Sequence, residues 1–228
     1  VKYQAAESGW KDLFLLGGIA TILLEAMLLL GIAGYLVWPY TPGNASAETV
    51  FALLKSDPLG GAVSLDLLLL LGNLVGLPVF AALYVSLKPV NRSYALMALL
   101  IGVVGVVLIV PARPILEMFS LSRLYFAADP VAQSRILAAG DATLAVFNGT
   151  SWTANTFLGG LSLFISSVLM FKSEFYGRPT AYVGLATNLA ACGFFLPVIG
   201  TILLFLTVPG YMIWYALLAV RFFRATRS

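Results

Sequence analysis

Residues 13–37 carry a single charged side chain, Glu25, in an otherwise apolar run. No other feature limits the fold so strongly, because about 20 apolar residues make a helix that crosses the ~30 Å hydrocarbon core of a bilayer. Backbone N–H and C=O groups in hydrocarbon meet no water, so such a run has to close its hydrogen bonds within itself. Further apolar runs follow near 59–87, 93–116, 150–171, 179–197 and 203–222. The short alternating segments of a membrane β-barrel are missing. The expected fold is an all-α polytopic membrane helix bundle, one membrane domain over residues 1–228 with about six transmembrane helices. The boundary between the last two spans rests on Pro197, Gly200 and Pro209 alone, within a stretch that is apolar almost throughout.

Composition removes several classes of function. Only 10% of the 228 residues are charged, against roughly 25% in soluble domains, too few to cover a water-facing surface. The chain has no histidine and one cysteine, Cys192. A disulfide within the chain and the usual thiolate or imidazole metal sites are therefore excluded, and no metal or cofactor is expected. The sequence starts on Val1 rather than methionine, which leaves room for a segment missing or removed upstream. The first apolar run exceeds the ~7 to 15 residues of a signal-peptide core, so it is expected to be a retained helix.

Charge placement orients the spans. Lys2, Lys11, Lys88, Arg92, Lys172, Arg178, Arg221, Arg224 and Arg227 fall on one side, nine of the 13 basic residues, while Lys55, Arg113, Arg123 and Arg135 fall on the other. By the positive-inside rule the first side is cytoplasmic, with both termini inside. Two outer loops follow, 38–58 and 117–149. The first holds a short helical pattern at 47–54. In the second, Asp129 before Pro130 has the form of a helix cap, and 131–147 is expected to lie on the membrane surface as a cover. Trp38, Tyr40, Trp10 and Tyr3 fit an interfacial aromatic belt. The Arg221, Arg224 and Arg227 cluster suits anionic headgroups and is too small to indicate nucleic acid.

Polar groups inside the spans are the candidate site. An ionised carboxylate at bilayer depth costs at least ~2.5 kcal/mol, so it must pair, face a polar cavity or take up a proton. Counting ~1.5 Å per residue along continuous helices puts Glu25 and Asp66 at one level in the outer half of the membrane. Arg113, between Pro111 and Pro114, could supply a counter-charge. Asn155, Asn188 and Asn73, two turns below Asp66, could satisfy a ligand, a water or one another. Trp152 is either an interfacial anchor or part of the pocket wall. A structural role for the two acids, ligand binding, and proton or ion coupling all stay open.

Gly72 and Gly76 permit close helix approach within the bundle or with a second copy. No glycine belongs to a phosphate-binding loop.

Three segments carry a resemblance. They are 83–93, ending Lys88-Pro89-Val90-Asn91-Arg92-Ser93; 171–184, with Glu174-Phe175-Tyr176-Gly177-Arg178-Pro179; and 209–224, with Trp214-Tyr215. Together the ordered set resembles the bacterial domain-of-unknown-function 4386 membrane proteins over most of the chain. The resemblance implies a bacterial or archaeal inner-membrane protein of about six helices, and it supplies no reaction and no catalytic residues. The function expected is noncatalytic binding of a lipid or small amphipathic molecule in an outer-half cavity built from Glu25, Asp66, Arg113 and Asn155. A small proton-coupled transporter and a structural subunit of a membrane complex are the alternatives. A membrane enzyme ranks behind them, because no nucleophile–base arrangement is visible. The expected partners are membrane lipids, a small amphipathic ligand, and a second copy or a membrane-complex partner, with no nucleic acid.

Overall fold

The computed structural model describes residues 8–227, without the side chains of Ser8, Phe195, Thr201 and Leu204. Lys2 and Tyr3 therefore lie outside the described residues. Among those residues all regular structure is helical. The helices are α1 (Lys11–Val37), α2 (Ala47–Ser56), α3 (Pro58–Ser64), α4 (Leu67–Val75), α5 (Leu77–Leu87), α6 (Arg92–Ala112), α7 (Ile115–Ala127), α8 (Pro130–Phe147), α9 (Thr150–Met170), α10 (Arg178–Cys192) and α11 (Gly200–Arg227). Short 3-10 turns occupy Ser8–Trp10 and Gly193–Phe195.

Five stretches are long and apolar enough to cross a membrane: Lys11–Val37, Leu67–Leu87, Arg92–Ala127, Pro130–Met170 and Phe205–Arg227. The apolar run 179–197 is represented by α10, whose 15 residues extend only about 22 Å at 1.5 Å per residue. Gly193 caps it, and the chain turns through Val198, which has a φ of 69°.

Other boundaries differ from the sequence expectation for identifiable reasons. Residues 59–87 form three helices rather than one. Pro78 lies in the first turn of α5, where its missing N–H does no harm, and Gly76 precedes that helix. The other interruption is at Asp66, which has a φ of 67°. In the loop 117–149 the helix expected after Asp129 is present as α8, and residues 117–127, for which no helix was expected, belong to α7. There α7 buries Ile115, Met118, Ser122 and Tyr125 along one face, and α8 buries Gly140, Leu144 and Phe147. Each helix thus packs one face inward, while α7 leaves Leu116, Leu124 and Phe126 exposed on its other side.

Local signals do set the starts of the short helices. Ser46 caps α2 through the Thr49 N–H, and Asp57 caps α3 through the Gly60 N–H, with Pro58 following. Asp129 caps α8 by accepting from Val131 N at 3.0 Å and Ala132 N at 2.9 Å. Asp129→Ala should lower the stability of the first turns of α8 by about 1 kcal/mol. Hydrogen exchange along α8 measures this, and unchanged protection at 131–135 would contradict it.

The helices gather into two compact units. Residues 8–26, 73–107 and 155–227 form the first, and residues 27–72 and 108–154 the second. In the first unit Phe14, Leu83, Met170, Trp214, Leu218 and Phe222 are fully buried in one core. Its helices approach closely where glycines meet: a side chain on Gly105 would stand 3.2 Å from the Gly159 backbone nitrogen. The second unit has its own core of Phe51, Leu65, Met118, Leu144 and Phe147. Asp141 accepts from the Ala47 N–H at 2.8 Å, and the Phe51 carbonyl accepts from Ser122 at 3.0 Å, tying α2 to α8 and α7.

Candidate functional site

Within the second unit two helix interruptions meet. At the first, α3 ends and the left-handed Asp66 opens α4; its N–H donates to the Val63 carbonyl at 3.0 Å and its carbonyl accepts from Leu70 at 3.0 Å. Aspartate is among the few residues that tolerate this region. At the second, α6 ends after Pro111, and Pro114 caps α7 without a side-chain bond. Proline at both positions removes donors that a continuous helix would need. Arg113 lies in this gap.

Arg113 and Asp66 form an ion pair, Nη2 to Oδ2 at 2.7 Å, and are only 3% and 5% exposed. Tyr35, near the end of α1, donates its hydroxyl to the other Asp66 oxygen. Nη1 of Arg113 donates to the Ala112 carbonyl at 2.9 Å and the Phe147 carbonyl at 2.7 Å. The latter is one of the last α8 carbonyls, which have no partner inside the helix. Trp152 faces the guanidinium at 4.3 Å from its ring centroid, and Phe147 lies at 5.7 Å. These faces favour a desolvated cation. The Nε–H of Arg113 is buried and lacks an acceptor among the described residues, a deficit that favours an added acceptor.

The segment after α1 folds over this pair. Tyr40 donates to Asn148 Oδ1 at 2.8 Å, and the Asn148 amide donates to the Pro42 carbonyl at 3.2 Å. Burial pushes the Tyr40 phenol up to about 12; the Asp66 charge adds to the rise, and Arg113 and the Asn148 bond oppose it. Tyr40 is therefore a neutral donor at pH 7. Gly43, with a φ of 87°, lies where a side chain would come within 2.9 Å of the Asn148 amide. Trp38, expected as an interfacial anchor, donates to Asp57 at 2.8 Å.

An open groove of about 450 Å³ runs between α7 and α8 in the same unit, lined by Leu116, Glu117, Ser120, Leu121, Ala139 and Thr143. Ser120 and Thr143 donate to carbonyls of their own helices, at 2.9 and 2.8 Å, so the walls present mainly carbon. Leu116, in the first turn of α7, follows Arg113 by three residues, and Thr143 is one turn from Phe147 on α8.

Of the residues singled out from sequence, Asp66, Arg113 and Trp152 come together here. The others belong to the first unit. There Asn155 donates to Asn73 at 3.0 Å and to the Gly105 carbonyl at 2.9 Å. Asn188 is fully buried, donating to the Gly184 carbonyl at 2.8 Å and accepting from Tyr211 at 3.1 Å. Glu25 is half-buried on α1, in the first unit.

Sequence reasoning missed Tyr35, Phe147 and Asn148. A hydroxyl close to a helix end was a usable signal for Tyr35. Phe147 contributes a carbonyl that no side-chain pattern reveals. Among the described residues no group of three or more histidine, cysteine or acidic side chains could hold a metal.

The family model described as a domain of unknown function, DUF4386, matches residues 13–225. No curated protein and no solved structure matches the chain.

Proposed function

We propose that this chain, which belongs to the DUF4386 family over nearly its whole length, is a noncatalytic multi-pass inner-membrane protein that binds a lipid or small amphipathic molecule. Its six crossings, the sixth completed by α10 with its 3-10 extension, leave both termini in the cytoplasm. The charge distribution supports this orientation. Nine of the 13 lysines and arginines fall at the ends of spans and in links on the side of the two termini, against four on the other.

The observation that carries the binding proposal is the pair of helix interruptions joined by Asp66 and Arg113. Interrupted helices inside membrane proteins leave backbone and polar groups available where a ligand is held. The apolar tail of the ligand lies in the groove along α7 and α8, whose lining residue Leu116 follows Arg113 by three residues. The groove volume of about 450 Å³ falls within the ~300–1,000 Å³ of ligand sites.

Native mass spectrometry of the chain extracted in mild detergent tests this. The wild type should retain an amphiphile adduct, and Ala139→Phe, which fills the groove from an exposed position, should lose most of it with the thermal midpoint unchanged. A wild type without an adduct, or an Ala139→Phe variant with undiminished occupancy, would remove the proposal. One observation favours a second function, a structural subunit: Asp66 is already satisfied by Arg113 and Tyr35. That alternative predicts the Ala139→Phe chain keeps its partners and never carried a ligand.

A further inference from the structure

We infer that one end of the first unit is a docking surface for anionic phospholipid headgroups, separate from the groove in the second unit. Four parts of the chain distant in sequence are brought together there. Lys88, after α5, lies 4.7 Å from the Trp10 ring centroid before α1. Ser86 and Tyr176 share a hydrogen bond of 2.7 Å, which joins the α5 end to the link between α9 and α10. Phe14 of α1 stacks on Phe175 at 5.6 Å and packs against Phe222 at 5.9 Å. The Arg221 guanidinium covers Gly177, where an added side chain would come within 2.9 Å of Nη2.

These contacts concentrate charge that is scattered along the sequence. Lys88, Arg92, Lys172, Arg178, Arg221 and Arg224 lie on or within one or two turns of the joined segments. The acids near them among the described residues are Asp12 and Glu174. Arg92, Lys172, Arg178 and Arg224 are exposed, and Lys88 and Arg221 are half-buried.

The surroundings select a lipid. Tyr182, at 61% exposure and one turn from Arg178, packs edge-on against Phe171 at 4.9 Å, next to Lys172 in sequence, and Tyr94, at 60%, lies in the first turn of α6 with Arg92. Such a border of cations against carbon matches a phosphate head with its acyl chains. Gly177, as the α10 N-cap, brings no side-chain acceptor that would compete for Arg221. A signal used only for orienting the chain during insertion would leave the mature protein indifferent to headgroup charge. A docking surface would not.

The test uses the full chain in mild detergent, with phosphatidylglycerol or phosphatidylcholine added to the micelles and the thermal midpoint followed. Phosphatidylglycerol should raise the midpoint at 0.1 M salt, and the gain should vanish at 1 M, where the Debye length shrinks from about 10 to about 3 Å. Lys172→Gln with Arg224→Gln removes two exposed cations and should weaken the apparent lipid affinity by roughly 25-fold, about fivefold for each. Arg178→Gln with Arg221→Gln should do at least as much. The control pair Arg123→Gln with Arg135→Gln, in the second unit, should leave the lipid effect intact.

Equal stabilisation by phosphatidylcholine would overturn the inference, as would an equal loss in the control pair. A matching shift from inorganic phosphate at the same concentration would also overturn it, since the site would then take a free anion. If Arg221→Gln disturbs folding, the Lys172 and Arg224 pair still decides the outcome, because neither exposed side chain packs into the core.

Discussion

Asp66→Asn and Arg113→Met should each lower the unfolding free energy by about 3 kcal/mol, and the double replacement should lose far less than the sum. Either single change leaves one charge of a buried pair without its partner. The two side chains are 5% and 3% exposed, so water cannot reach in to compensate. Removing both charges takes away the Coulomb attraction and the desolvation penalty together, and these largely offset each other in a low-dielectric interior. Asparagine is the right replacement at position 66, where φ is 67°, because it tolerates the left-handed region better than leucine or valine. Tyr35 can still donate to it. Unfolding followed by denaturant titration in detergent, through all four corners of the cycle, gives the coupling energy. Strict additivity would show that the contact contributes nothing as a pair.

The second large effect is expected in the first unit. Trp214 is fully buried and donates to the Thr180 carbonyl at 3.0 Å. Trp214→Ala should cost on the order of 3 kcal/mol, toward the lower end for such truncations. Removing apolar surface from lipid contributes little inside a membrane, so the loss comes from the cavity, the missing dispersion contacts and the Thr180 carbonyl left without its donor. The reverse change probes the same contact. A methyl group on Gly184 would overlap Trp214 Nε1 and approach Ser167 Oγ at 2.5 Å, so Gly184→Ala should destabilise by about 1–3 kcal/mol. Trp214→Phe, which removes the overlapping Nε1 edge, should then recover part of that loss. The same denaturant titration measures both, and a Gly184→Ala chain as stable as the wild type would mean the two helices are not closely packed there.

Both effects depend on pairings that the sequence only partly reveals. Arg113 was a recognisable counter-charge for one of the two acids, because a cation between two prolines at the end of an apolar run needs an anion nearby. Its choice of Asp66 was not recognisable. The height assigned to Asp66 assumed a continuous helix over 59–87, and the break at Asp66 removes that assumption. Glu25 and Asp66 fall in different units, and the asparagines find partners within the first. The helices α2 and α8 were legible from the helical pattern at 47–54 and from Asp129 before Pro130, since caps and helical spacing are local.

The sequence by itself determined that this chain is helical, apolar enough to cross a membrane, and uneven in where its lysines and arginines fall. Those properties follow from backbone groups that must bond within their own segment and from charges that stay at the segment ends. Only the tertiary structure decided where the apolar runs break and which buried groups meet. A neighbouring helix and a lipid tail are equally apolar, so hydropathy cannot say which face is covered. A carboxylate is drawn to whichever cation the packing brings within reach. At Asp66 that cation is Arg113, with Tyr35 supplying the second bond, in a backbone turn that local sequence preferences would have left straight.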